Sequence, residues 1–311
     1  MQDDRDEDQT AIVTRRTVTR AGEVLADLIA RPLTSGLYLV ATPIGNLADI
    51  SLRALSVLAR ADLIAAEDTR HSKKLLTHFG IAAKLTPYHE HNAERERPRL
   101  LARLHAGASV ALISDAGTPL VSDPGYKLVR EALDAGFMVT SIPGPSATLA
   151  ALTSAGLPTD TFLFAGFLPP KSGPRRERLA ELATVPATLV IFESGPRLGK
   201  SLADMAEVLG PREGAIAKEL TKLHESVTRG RLDALASEIS GSETVKGEFV
   251  VVIGPPSEDA ADASDEQIVY QLEQALKLES FRDAVRSVAE VLNVSRAHVY
   301  ELGLKLTRAR D

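Results

Sequence analysis

The stretch Leu37-Tyr38-Leu39-Val40-Ala41-Thr42-Pro43-Ile44-Gly45-Asn46-Leu47 decides how the rest of the chain is read. Leu37 to Ala41 is an apolar run of strand length, and Thr42 to Leu47 is a glycine turn ahead of the amphipathic stretch Ser51 to Arg60. A strand, a turn and a helix in that order is where α/β proteins place ligands, at the carboxyl ends of their strands. The turn is not G-x-G-x-x-G, and no such string follows any strand-like run, which disfavours a dinucleotide fold of the usual kind. Working outward, further short apolar runs occur at Leu63 to Ala66, Val110 to Ile113, Phe137 to Ile142, Phe162 to Ala165, Leu189 to Phe192, Ala215 to Ala217 and Phe249 to Ile253. Amphipathic stretches such as Pro98 to Ala106, Tyr126 to Ala135 and Leu198 to Leu209 alternate with them. The alternation predicts an α/β protein with mostly parallel sheets. The small-residue helix SATLAALTSAGLP, from Ser146 to Pro158, divides it into an N-terminal lobe over 35–147 and a C-terminal lobe over 148–254.

Three segments lie outside the lobes. Residues 1–34 are polar and lack a sustained period, so they read as a disordered acidic tail with a short helix near Val24 to Ile29. Residues 255–267 read as an acidic linker. Over 268–311 the pattern is helical. Phe281, Ala284, Val285, Val288, Ala289 and Leu292 share one helix face, Asn293 suits a left-handed turn and Ser295 a cap, giving a helix-turn-helix-like module.

Composition bounds the chemistry. The 311 residues include no cysteine, which removes disulfides, zinc-thiolate sites, iron-sulfur clusters and cysteine nucleophiles. No apolar run approaches the ~18 residues of a membrane span, so a soluble, cytoplasmic protein without membrane contact is expected. The net charge of −6 argues against a strongly basic nucleic-acid binder. Met1 to Thr10 and Pro255 to Gln267 hold most of that acidity, however, and Ala11 to Gly254 carries 28 bases against 26 acids. Its bases cluster: the glycine- and proline-rich loop GFLPPKSGP carries Lys171 and leads into Arg175, Arg176 and Arg178, a setting that suits a phosphate backbone.

Polar residues gather at strand ends. Ser114-Asp115-Ala116-Gly117-Thr118-Pro119 supplies an acceptor, a hydroxyl and a close-approach glycine, and in Pro143-Gly144-Pro145-Ser146-Ala147 the serine can cap a helix whose free amides suit a carboxylate. Glu67-Asp68-Thr69-Arg70-His71 is too polar for a core, and His89-Glu90-His91-Asn92 reads as a substrate-facing rim. With no H-E-x-x-H string and no cysteine, no metal is expected at the two histidines. The string Ser194 to Ser201 nearly spells a phosphate loop, but Ser194 replaces its first glycine and Pro196 removes an amide donor.

These loops together closely resemble the ribosomal RNA small subunit methyltransferase I family of the tetrapyrrole methylase superfamily. The strings are Thr42 to Leu47, Ala66 to His71, Ser114 to Pro119 with Asp123-Pro124-Gly125, Pro143 to Ser146, Gly166 to Pro169 with Lys171, Lys218 to Lys222, and Gly247 to Phe249. The resemblance runs from about Gly36 to Gly254 and implies a class III methyltransferase fold, with S-adenosyl-L-methionine held between two α/β lobes. It implies methylation of the ribose 2′-hydroxyl of a cytidine in the decoding centre of small-subunit rRNA, within the assembled or assembling subunit, by a homodimer. Cofactor binding carries over to Ile44, Gly45, Asp115, Ala116, Gly117, Thr118, Ser146 and Ala147, and more loosely to Phe192, Glu193, Leu220 and Glu248. For proton removal the candidates are Glu67, Asp68 and His89, with Glu219 as an alternative, while Arg70 and Lys171 hold adjacent phosphates. A corrin or porphyrin C-methyltransferase would share the cofactor cleft, and a non-catalytic helix-turn-helix nucleic-acid binder is a third class.

Overall fold

The computed structural model describes residues 3–240, 246–256, 265–277, 279–292 and 294–308. Its first sheet has the order β3-β2-β4-β1-β5 and is parallel throughout. The strands are β1 (Gly36–Val40), β2 (Leu63–Ala66), β3 (Leu85–Pro87), β4 (Ser109–Ile113) and β5 (Val139–Ile142). Successive side chains of a strand face opposite sides, and helices cover both sides here, which is why the strands read as unbroken apolar runs. On one side Tyr38, Val40, Ile64 and Ile113 pack against α2 (Leu52–Arg60) and α3 (Thr69–His78). On the other, Leu37, Ala65, Val110 and Leu112 pack against α4 (Ala93–His105) and α5 (Tyr126–Asp134).

The second sheet, β6-β7-β10-β8-β9, departs from the expected parallel arrangement. Only β6 (Phe162–Phe167) and β7 (Thr188–Ser194) run parallel, joined by α7 (Ser172–Ala183). After α8 (Gly195–Leu209), β8 (Glu213–Lys218) turns directly into β9 (Ser226–Arg231). Following α9 (Leu232–Ser240), β10 (Glu248–Ile253) inserts antiparallel between β7 and β8. A loop of seven residues after β8 leaves no room for a crossover helix, so an antiparallel pairing follows. Helix α6 (Ala147–Ala155) lies on one face of this sheet through Ala151, Leu152 and Ala155, and ends at the left-handed Gly156.

The expected disordered tail is helical instead. Helix α1 (Asp3–Ala30) packs along α2, and Leu25 joins the core beneath it. The Arg60 guanidinium also donates to the Arg31 carbonyl. The proposed linker falls partly on 257–264, outside the described residues, and its last residues belong to α10 (Asp265–Ala275), where Asp265 pairs with His298. With α11 (Phe281–Leu292) and α12 (Arg296–Arg308), α10 encloses a separate core of Ile268, Leu272, Val285, Val288, Val299 and Leu302. The Ser295 hydroxyl accepts from the His298 amide as expected of a cap, while Asn293 lies outside the described residues. Among the described residues no helix is long and apolar enough to cross a membrane.

Candidate active site

Backbone hydrogen bonds bind three strand-end loops of the first lobe into one wall. Thr42 and Gly117 exchange both amide-to-carbonyl bonds at 2.9 Å, and the Thr42 hydroxyl donates to the Ser114 carbonyl at 3.2 Å. The Thr118 hydroxyl donates to the Pro145 carbonyl at 3.2 Å, which ties in the loop before α6. Gly117 sits at φ +81°, a conformation that favours glycine, while a Cβ there would only reach ordinary contact with Ile44 at 3.4 Å, so it is the backbone and not the space that calls for glycine.

The second lobe closes against this wall through the loop after β8. The Asn46 amide donates to the Thr221 hydroxyl at 3.1 Å, and a Cβ on Gly45 would collide with Lys222 Cγ and lie 3.1 Å from the Leu220 carbonyl oxygen. Lys222 in turn donates to Glu219 at 3.0 Å and Glu248 at 2.8 Å. Glu219 and Thr221 hold left-handed backbones, φ 49° and 65°, in this latch.

Between the lobes lies a cavity of about 490 Å³, a size that takes a nucleoside-bearing cofactor. Ile44, Asp115, Ala116, Gly117 and Thr118 line it from the first lobe, with Ser146 and Ala147 at the start of α6. Phe192, Glu193, Leu220 and Glu248 line it from the second. Gly45 stands behind the wall in the latch. The Glu193 carboxylate is committed elsewhere, accepting from the Ser194 amide and the Ser201 hydroxyl and pairing with Arg197. The Glu248 carboxylate is exposed and held by Lys222.

Three acids converge at one end of the cavity. Glu67 and Asp115 are joined by a long contact of 3.5 Å from the Asp115 amide to Glu67 Oε2, and Asp115 Oδ1 accepts from the Asp68 amide at 3.0 Å. Burial pushes the Glu67 carboxyl up, and the neighbouring Asp115 charge adds to the rise. Asp123 is pushed up to about 6, first by burial and then by the charges of Glu67 and Asp115, against a hydrogen bond with Ser114. A turn with left-handed backbones at Leu120 and Ser122 returns Asp123 into the cavity. Such conformations cost on the order of 1 kcal/mol each and survive where packing imposes them.

The remaining predicted residues sit around the rim. Asp68 caps α3, accepting from the Arg70 amide at 2.8 Å, and its carboxylate grips the Arg70 guanidinium at 2.9 and 3.2 Å. That grip draws Asp68 down to about 2 and takes it out of the contest for a proton acceptor. Glu219 is likewise lowered, by the Glu248 amide and then Lys222. His89 lies close enough to Glu67 to stabilise its charge, and its Nδ1 is buried without a protein partner. Arg70 is exposed, and Lys171 stands exposed at the start of α7, beyond the Phe167 that lines the cavity. Asp123 and Thr148 are lining residues assigned no role from sequence: Asp123 stood only in a string that carries the resemblance, and Thr148 only in the small-residue helix after Ser146.

The residues present fit S-adenosylmethionine. Ile44, Ala147, Phe192 and Leu220 give apolar walls, the acid cluster complements a cation, and the Thr148 hydroxyl is buried in the lining with no protein partner.

A family model described as Tetrapyrrole (Corrin/Porphyrin) Methylases matches residues 36–236. The chain is 59% identical over 240 residues to the ribosomal RNA small subunit methyltransferase I of Mesorhizobium japonicum, covering 77% of this chain and 82% of that one. It is 45% identical over 275 residues to the protein of the same name in Escherichia coli O157:H7, covering 86% and 94%. Among solved structures, a diphthine synthase superposes with a TM-score of 0.55 at 18% identity, over 70% of this chain and 89% of that one. Uroporphyrin-III-C-methyltransferase from Thermus thermophilus gives 0.50 at 22%, over 71% and 94%. Those two likenesses show the shared fold.

Proposed function

The chain belongs to the tetrapyrrole methylase family, in the branch of the ribosomal RNA small subunit methyltransferases I, and from that premise we propose that it methylates the ribose 2′-hydroxyl of a cytidine in small-subunit rRNA, within the assembled or assembling subunit. The observation that carries this reading is the cavity between the lobes, where the strand-end loops meet the latch and carboxyl groups of raised proton affinity stand at one end.

Bound there, S-adenosylmethionine supplies a methyl group on a sulfonium, already a strong electrophile. The protein's tasks are then alignment, water exclusion and proton removal. The first-turn amides of α6, beside Ser146 and Ala147, suit the cofactor's carboxylate. Ile44, Phe192 and Leu220 keep water from its apolar body. With S-adenosylmethionine bound as methyl donor, Glu67 Oε would accept the ribose hydroxyl proton, its raised proton affinity suiting a general base better than the salt-bridged Asp68. His89, near Glu67, steadies the carboxylate before transfer. Arg70 and Lys171 serve as exposed cations for neighbouring phosphates.

Incubation with methyl-labelled S-adenosylmethionine and either undermodified small subunits or precorrins tests the substrate. Label on a cytidine ribose is expected, and label on the tetrapyrrole would overturn the reading. Glu67→Gln is expected to lower kcat about 100-fold with cofactor binding retained.

A further inference from the structure

A second cavity, of about 310 Å³, opens on the other side of Asp115, which lines both. Its walls are Pro43, Leu47, Leu75 and Ile113. Ser72 also lines it, 2% exposed, and its hydroxyl has no protein partner. The catalytic assignment uses none of these groups. His71, Lys74 and His78 follow one another at helical spacing along α3 and form the exposed rim. Lys74 makes no ion pair with the described residues, whereas Arg70, one turn earlier, is engaged by Asp68.

Apolar walls, one buried unpaired hydroxyl and a cationic rim are the complement of a nucleotide: a flat base to be packed, one polar edge to be met and a phosphate to be held outside. Leu47 is 40% exposed, apolar surface for which the folded chain provides no cover. We propose that this cavity holds the base of the nucleotide adjoining the methylated one in the RNA, with Ser72 meeting its edge and Lys74, flanked by the two histidines, holding its phosphate. Because both cavities share Asp115, a chain entering the second places the next ribose at the acid cluster of the first. The inference rests on RNA being the substrate and assigns the segment of this surface that grips it.

The test uses the full chain, methyl-labelled S-adenosylmethionine and undermodified small subunits, with Leu47→Ala, Ser72→Ala and Lys74→Glu. Each variant is expected to raise KM for the subunit about tenfold, the loss of one base or phosphate contact, with kcat, KM for S-adenosylmethionine and S-adenosylhomocysteine binding unchanged. Lys74→Glu is also expected to flatten the dependence of log KM on log salt by about 0.7 or more, the signature of a lost phosphate contact that a structural defect would not give. Wild-type subunit KM in all three variants, or an equal loss of cofactor affinity, would overturn the proposal. Absence of transfer by the wild-type protein, seen before any variant is compared, would instead remove the RNA reading on which it rests.

Discussion

At the scale of single residues, Asp123 makes a contribution of its own to the pH dependence. Its folded carboxyl titrates at about 6 against an ordinary 3.8, so the folded protein holds that proton more tightly than the unfolded chain does. Stability from this group is therefore full below about pH 4 and declines as pH rises towards about 6, beyond which the charged carboxylate is a constant cost. Asp123→Asn should stabilise the protein by about 1 kcal/mol at pH 8, allowing for solvent screening of a half-exposed group, and by nothing at pH 4. Urea unfolding at the two values checks it. The same charge attracts a sulfonium, so the preference for S-adenosylmethionine over the uncharged S-adenosylhomocysteine should grow as pH passes through about 6, measured by calorimetric titration. Sequence pattern brought Asp115, Gly117 and Ser146 to the cavity because each stands directly after an apolar strand. Asp123 lies in a turn ten residues past the end of β4, and its environment is made by the Glu67 and Asp115 charges, partners that spacing alone cannot bring together.

Among the elements, the first turn of α6 carries the next expectation. Ser146, Ala147 and Thr148 line the cavity there, and Thr148, 6% exposed, leaves its hydroxyl unpaired in the lining. An unpaired buried hydroxyl costs about 1 kcal/mol or more, and valine has the same shape without that cost. Thr148→Val should therefore stabilise the ligand-free protein by about 1 kcal/mol while weakening S-adenosylhomocysteine binding about tenfold. Unfolding curves with and without ligand separate the two effects; undiminished affinity would show that the hydroxyl does not meet the cofactor. Helices and central strands of the first lobe were legible because both faces of its sheet are covered, giving apolar runs such as Val110 to Ile113. The edge strands β3 and β9 were not, since Leu85–Pro87 is three residues long and Ser226–Arg231 is largely exposed and polar. Of helix α1 only the end near Val24 to Ile29 was legible, where apolar residues gather and Leu25 joins the core; the stretch before it lacks a sustained apolar period.

At the scale of the whole molecule, the helical module has a core of its own, apart from those of the two lobes. Among the described residues, the cores of the two lobes contain none beyond Ile253, and the residues of α10 to α12 pack on one another. Two cores without shared members can unfold as separate units. Removing everything after Gly254 should therefore leave the lobes folded, with S-adenosylhomocysteine affinity within about twofold of the full chain. On the proposed reading, methylation of small subunits should fall through a raised KM, because the lobes carry nearly balanced charge. On the helical module Arg282 and Lys305 are exposed, while Arg286 is paired with Asp283 at 3.0 Å. Calorimetry on the truncated chain, paired with labelled methyl transfer over a range of subunit concentrations, reads both quantities; full methylation at unchanged KM would reduce the module to a packing appendage.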